Sequence, residues 1–274
     1  MLKITPYEPI TRIDLARTIA GRGRYWTTAY FVDGMLIDSG CAHSASELLS
    51  YLRDQRLFQL VNTHSHEDHI GANGLLQREH SGLEIFAHPL ALGILEHPRQ
   101  QHLQPYRRLM WGWPEPSQGK QVEDGEVIRT EHFNFQVIYT PGHSPDHICL
   151  YEPEKEWLFS GDLFVGGRER ALSASADIWG MIASLEKIVE LPLSKMFPGS
   201  ARVRKNPSDE IQEKIEYLEG LGERVLELHH KGLSVDTNVR AECGGPMFIE
   251  AFTLGQFSRR NLVRSYLRFQ PNRT

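Results

Sequence analysis

The chain has 274 residues, 40% of them apolar and 24% charged, and its 30 basic and 35 acidic side chains give a formal charge of −5. That length supports one large domain or one domain with a small appendage, and the mixture can fill a core, which excludes disordered, collagenous and low-complexity chains. The mild acidity does not point to a globally basic nucleic-acid binder, although it leaves local patches open.

In chain order, Tyr25 to Val32 is rich in aromatic and β-branched residues and reads as a strand. Asp33-Gly34 supplies a hairpin turn into Met35 to Ile37. Ser44 to Arg56 has helical spacing at Leu48, Leu49 and Leu52, and a short apolar strand, Phe58 to Asn62, follows. A histidine cluster comes next, then a helical pattern over Ile70 to Arg78 and a strand at Glu84 to Ala87. Residues 89–121 break this rhythm: Pro114 and Pro116 flank Glu115, and Trp111 and Trp113 bracket Gly112. A partly helical insertion that ends in an irregular loop is expected, with the two tryptophans either as a lid over a site or as a satellite apolar cluster. Strands return at Phe133 to Tyr139, His147 to Tyr151 and Trp157 to Phe159. A helix over Ile178 to Leu191 then leads to a strand near Lys195 to Phe197.

From Asn206 the pattern turns helical. Ile211, Ile215, Leu218, Leu221, Val225 and Leu228 step by three or four residues along one face, and Lys231-Gly232 ends it. A last helix is expected over Ser258 to Phe269. Strands alternating with helices indicate an α/β domain over 1–205, with 206–274 as a helical extension. No run of about 18 apolar residues is present, so no membrane span is expected. The start, MLKITPYEPITRIDL, lacks an apolar export segment, and three scattered cysteines (Cys41, Cys149, Cys243) suit a reducing compartment. A cytoplasmic protein is the expectation.

The chemistry concentrates in Thr63-His64-Ser65-His66-Glu67-Asp68-His69. His64 and His66 stand two apart at the end of an extended stretch, so their imidazoles leave the backbone on one side and can meet one ion. Asp68 and His69 fall where the chain is expected to enter a helix and can reach a second point nearby. Four candidate ligands in six positions directly after a strand are hard to attribute to a polar surface loop. Imidazole with carboxylate suits zinc, iron or manganese.

This segment, His-x-His-x-Asp-His after a strand, resembles the signature of the metallo-β-lactamase superfamily. Thr140-Pro141-Gly142-His143-Ser144 resembles the turn that carries the family's next metal histidine, and Ser160-Gly161-Asp162-Leu163-Phe164 its bridging aspartate. Leu36-Ile37-Asp38-Ser39-Gly40 matches the strand and turn ahead of the site. The resemblance covers roughly residues 20–200 and implies a four-layer αββα sandwich with metals at one edge. It implies that His64, His66 and His143 hold a first metal, that Asp68 and His69 contribute to a second, and that Asp162 bridges. Asp68 would also orient water or carry its proton. One position departs from the family pattern: the turn Phe197-Pro198-Gly199-Ser200 has serine where a histidine is usual. A firmly held first zinc and a weak or absent second one are therefore expected, with iron or manganese as alternatives.

Several further residues carry expectations. His147 reads as a buried histidine bonded to backbone rather than a substrate contact, and His88 as a strand-end residue. His229 and His230 read as complements to a helix dipole, with a compensating ligand as the lesser reading. Trp111, Trp113, Arg168, Ser200 and Arg202 are candidate substrate contacts, and the arginines favour an anionic small molecule. Within the basic stretch Arg259, Arg260, Arg264, Arg268 and Arg273, the i, i+4 spacing of Arg260, Arg264 and Arg268 reads as the wet side of an amphipathic helix in preference to an RNA contact. The functional reading is a hydrolase that uses metal-bound hydroxide on an ester, thioester, lactone or phosphodiester. A mononuclear iron persulfide dioxygenase and an RNA-directed nuclease are the alternatives. Oligomeric state is left open.

Overall fold

A computed structural model describes residues 1–245 and 247–268. Strands β1 (Leu2–Tyr7), β2 (Ile10–Ile19), β3 (Arg22–Val32) and β4 (Met35–Ile37) form an antiparallel ladder. It continues in parallel through β5 (Gln59–Val61), β6 (Glu84–Ala87) and β7 (Gly119–Gln121), completing a seven-stranded sheet in sequential order. Helices α1 (Ala45–Leu52), α2 (Asn73–Glu79) and the pair α3 (Pro89–Glu96) and α4 (Pro105–Trp111) connect the parallel strands.

The second sheet contains β8 (Val127–Arg129), β9 (Asn134–Tyr139), β10 (Ile148–Glu152), β11 (Trp157–Gly161), β13 (Lys195–Pro198) and β14 (Arg204–Lys205). Its order is β14-β13-β11-β10-β9-β8, with β11 and β13 parallel. Between β11 and β13 run β12 (Leu172–Ser173) and α5 (Ile178–Val189). The chain then adds α6 (Ser208–His230), α7 (Val235–Glu242), α8 (Phe248–Phe252), β15 (Phe257–Ser258) and α9 (Arg259–Arg268). The two-residue β15 pairs with β12.

Strand periodicity builds the layers. Met35 and Ile37 face the second sheet while Leu36, between them, faces α1 and α2; Val61 and Leu60 divide in the same way. Across the sandwich, Ile148, Leu150 and Phe159 point inward, whereas Cys149, Tyr151 and Leu158 point out toward α5 and α6. A strand buried on both faces has apolar residues in succession, which is why these strands read as short apolar runs. Three apolar seams result: helices on sheet, sheet on sheet, and sheet on helices. This is the four-layer αββα sandwich.

The helices after residue 206 belong to the third seam. Ile211, Ile215, Leu218 and Val225 of α6 and Leu262, Val263 and Tyr266 of α9 are buried against α5 and the outer face of the second sheet. Tyr266 also donates its hydroxyl to the Leu218 carbonyl (2.7 Å). The apolar side of α9 thus packs as its spacing predicts. Phe269 and Arg273, part of the expected final helix and its basic run, lie outside the described residues.

The structure corrects several local expectations. β1 precedes the first expected strand. Helix α2 begins at Asn73 rather than Ile70, so Asp68 and His69 lie in a turn ahead of it. Residues 119–121 form β7 instead of ending a loop; Gly119-Lys120-Gln121 has no apolar alternation because it is a polar sheet edge. No helix among the described residues is long and apolar enough to cross a membrane.

Removing a side chain from the third seam tests whether the C-terminal helices stabilise the sandwich. Leu262→Ala is expected to lower the unfolding free energy by about 2–5 kcal/mol in a denaturant titration, in one cooperative transition. A separate early transition would mean that α9 folds apart from the rest.

Candidate metal centre

The candidate ligands stand just beyond the C-terminal ends of strands. Asp38 follows β4, His64 to His69 follow β5, His143 follows β9, Asp162 follows β11 and Ser200 follows β13. The two sheets meet there through Tyr30, whose hydroxyl donates to the Pro198 carbonyl (2.7 Å), and through the Thr28 amide, which donates to the Gly199 carbonyl (2.6 Å). Two glycines allow close packing around the centre. A Cβ on Gly71 would lie 2.3 Å from the backbone of Cys41 and Ala42. One on Gly199 would lie 2.8 Å from both Asp162 Oδ1 and His69 Cε1.

Three ring nitrogens converge at the first point. His66 Nδ1 lies 2.9 Å from His64 Nε2 and 3.0 Å from His143 Nε2. At a second point, ligand atoms of His64, His69 and Asp162 lie within 4.8 Å of one another. Asp68 Oδ2 is 4.0 Å from His69 Nε2, and Asp162 Oδ2 is 3.6 Å from the same nitrogen, too long for a hydrogen bond. His69 Nε2 is buried without a partner.

A hydrogen-bond network sets which nitrogens are bare. Asp38 Oδ2 accepts from His69 Nδ1 (2.7 Å) and from the Thr63 hydroxyl (2.8 Å), and Asp38 Oδ1 accepts from the Thr63 amide (2.8 Å). With its proton committed to Asp38, the Thr63 oxygen accepts from His64 Nδ1 (3.1 Å). Both imidazoles therefore direct an Nδ1 proton away from the centre and turn Nε2 inward, with His64, held neutral, presenting a lone pair there. Asp38 holds a positive φ of 58°, rare for a residue with a side chain, at the turn that delivers its carboxylate.

The electrostatics agree with a site for positive charge. Burial pushes His64 and His66 far below the ordinary imidazole range, and the neighbouring rings add to the effect, so both are neutral donors. Burial also disfavours the charged form of His69, but Asp38 and Asp162 outweigh it and raise that group. Burial moves Asp68 up to about 6, with His69 opposing. For Asp162 the burial penalty is outweighed by His69, and the carboxyl is held well below its usual range. The space beside His69 Nε2 favours a cation, whether a proton or a metal ion. The donor set of neutral imidazoles and carboxylates, with one orphaned nitrogen, fits a divalent metal.

The other singled-out residues fall as follows. Ser200 Oγ donates to Asp162 Oδ1 (3.2 Å), so the departing position of the family pattern faces the second point. His147 is fully buried; its Nε2 accepts the Asp162 amide (3.2 Å) and its Nδ1 donates to Thr140 Oγ1 (2.8 Å), so it fixes the Asp162 turn. His88 caps α3 and stacks on Tyr139. Trp111 sits in an aromatic cluster with Tyr25 and Tyr106, over Arg107, and Trp113 is half-buried. Arg168 lies over the Tyr217 ring, and Arg202 pairs with Glu210. His229 and His230 are exposed in the last turn of α6.

One buried pair has no counterpart among the sequence expectations. Glu67, inside the histidine segment and fully buried, receives both Nε and Nη2 of Arg107 on α4 (2.5 and 2.8 Å). The insertion is thereby clamped onto the ligand loop by a two-pronged ion pair. In the sequence Arg107 is one basic residue among several, and only its place in space shows the partner.

A family model for the metallo-beta-lactamase superfamily matches residues 25–200. The chain belongs to this superfamily. Among curated relatives, the atrochrysone carboxyl ACP thioesterase of Aspergillus fumigatus is 29% identical over 196 residues, 70% of this chain and 55% of that protein. The hydroxyacylglutathione hydrolase GloC of Haemophilus influenzae is 33% identical over 147 residues, 52% of this chain and 66% of that protein. The matches thus span between about half and two thirds of those relatives. Among solved structures, a metallo-beta-lactamase family protein of Thermus thermophilus superposes with a TM-score of 0.65 at 20% identity, covering 93% of this chain and 90% of that one. That likeness is one of fold.

The clamp on the superfamily loop can be tested through its charges. Arg107→Ala strands the Glu67 carboxylate and is expected to cost about 3–5 kcal/mol of stability by denaturant titration. Adding Glu67→Gln should recover part of that loss, since the uncompensated charge is gone. A double variant no more stable than Arg107→Ala would show that the pair is not coupled.

Proposed function

We propose that the protein is a metal-dependent hydrolase of acyl thioesters, with zinc as its metal. The observation that carries this reading is the convergence of three imidazoles, with His66 Nδ1 lying 2.9 Å from His64 Nε2 and 3.0 Å from His143 Nε2. The thioester class is supported by the relatives: one is named a thioesterase and the other a hydroxyacylglutathione hydrolase, and cleavage of an acyl–sulfur bond is common to both names.

His64, His66 and His143 would hold the first ion. His69 and Asp162, with Asp68 beside them, would hold a second, and Asp162 reaches toward both points. A dication so held lowers the pKa of bound water to about 7 and polarises a carbonyl. The chain supplies the rest. Asp38 and Thr63 keep the imidazole lone pairs aimed inward, His147 fixes the backbone at Asp162, and Asp68 Oδ2 is placed to take a proton from water and return it to the departing sulfur. Ser200 offers a neutral hydroxyl that donates to Asp162 where imidazole would be a donor to metal, so the second ion is expected to be held weakly.

A small-molecule substrate is favoured over nucleic acid because much of the basic helix is already engaged. Arg259 binds Glu250, Arg260 binds Asp236 and Arg268 donates to the Ala174 carbonyl. The three cysteines are free, two of them buried, which accords with a cytoplasmic setting.

Elemental analysis of protein purified without added metal is expected to give about one zinc per chain, and the zinc form should hydrolyse thioesters in preference to oxygen esters, lactones or phosphodiesters. His66→Ala should lose that zinc and at least about 10³-fold in kcat/KM. Iron in place of zinc, with oxygen uptake on a glutathione persulfide, would overturn the assignment. Ser200→His should bring a second zinc into stoichiometric binding, as read by competition with a chelator. An unchanged stoichiometry would show that the serine does not limit the second site.

A further inference from the structure

Between α3 and the turn that carries His143 lies a cavity of about 340 Å³ whose lining includes His66, one of the three converging histidines. Its wall on α3 is Leu90 and Ile94, one turn apart, with Leu90 58% exposed. Opposite them stand Ser144 and Asp146, with Gln101 completing the rim. A second hollow of about 270 Å³ shares Leu90, Ile94 and Gln101 with the first, so the space continues along the helix. The first volume is at the lower end of the range for small-molecule sites, roughly 300–1,000 Å³, and the second lies just below it.

Charge decides what fits. Among the described residues no lysine or arginine lines the cavity, and the acid present, Asp146, is buried and committed through Oδ2 to the Ser65 amide (2.8 Å). Beyond the centre itself, an anionic group would find no cationic side chain along the cavity and would face a carboxylate. Ser144 Oγ and Gln101 Nε2, on two of the lining residues, are buried without a hydrogen-bond partner and present almost no polar surface to an occupant. The thiol portions of biological thioesters are long and carry phosphate or carboxylate charge, so the acyl side is the better match.

We propose that this cavity is the acyl subsite, and that it selects an uncharged, largely apolar acyl group. The assignment rests on the thioester reading above for the identity of the ligand, but its geometry can be tested without turnover. By calorimetric titration of the zinc-loaded protein, hexanamide is expected to bind about tenfold or more tightly than acetamide, which can reach the centre but not fill the cavity. Ile94→Trp fills the space and should erase that preference while zinc content stays unchanged. Leu90→Trp, at an exposed position that tolerates bulk, should do the same if the first variant folds poorly.

Hydrolysis gives a second measure. The ratio of kcat/KM for hexanoyl over acetyl thioester should exceed about ten in the native protein and fall toward one in either variant, and succinyl thioester should be the poorest of the three. Retention of the hexanamide preference in both tryptophan variants, or equal use of succinyl and hexanoyl groups, would overturn the subsite. Failure to cleave any thioester while the hexanamide preference persists would sink the thioester reading and leave the apolar subsite in place.

Discussion

Everything at the centre depends on holding imidazole lone pairs together in a buried space where nothing neutral would keep them. Nitrogens 2.9 and 3.0 Å apart repel one another wherever both present lone pairs, and burial removes the water that would relieve the repulsion. Asp38 makes the arrangement sustainable. Its carboxylate accepts three hydrogen bonds and, directly or through Thr63, anchors the outward proton of both His69 and His64. Without that anchor each ring is free to change tautomer or rotate. The positive φ at Asp38 is local strain retained where an anion must be delivered under the ligand loop.

The layered fold supplies the rigidity that such a cluster requires. Because β4, β5, β11 and β13 have parallel neighbours, their C-terminal ends lie at the same edge, and segments distant in sequence arrive together. Apolar seams on both faces of each sheet leave those strands little room to shift, so the loops inherit fixed starting points. The loops then lock onto one another. Glu67 is tied to Arg107 of the insertion, Asp162 to His147, and Gly199 lies against His69. Metal-site geometry here is a property of how strand ends are aligned, more than of any single loop.

This also explains how far the sequence can be read. The ligand segment is legible because His64, His66, Asp68 and His69 occupy neighbouring positions after an apolar strand. His143 and Asp162 are single residues in plain turns, and only likeness to a known family draws attention to them. The burial of His147 and the amphipathic packing of α9 follow from ordinary periodicity. Glu67 and Arg107 are not legible as a pair, since forty residues separate them and an acid inside a histidine segment looks like another solvated charge. Elements such as β7 escape because a polar three-residue edge has no pattern of its own, and the short α7 and α8 because their apolar faces are incomplete. What periodicity cannot encode is which distant partner a charge will meet.

The same lesson separates two views of substrate choice. Counting arginines near the site in sequence favours an anionic ligand through Arg168 and Arg202. In space Arg168 lies over Tyr217 and Arg202 pairs with Glu210, and neither lines the cavity that includes His66. The cavity that does open beside His66 has an apolar wall and a buried acid. If the substrate is an acyl thioester as proposed, attraction for the reacting carbonyl would be concentrated at the ligand cluster, and discrimination among acyl groups would be left to shape and to the lack of a cationic side chain along the cavity. Such a division suits a hydrolase whose reacting group is constant while the attached group varies. On the proposed reading, polarisation would act on every substrate alike, and selectivity would arise from the desolvation penalty that a charged acyl group would meet between Leu90, Ile94 and Asp146.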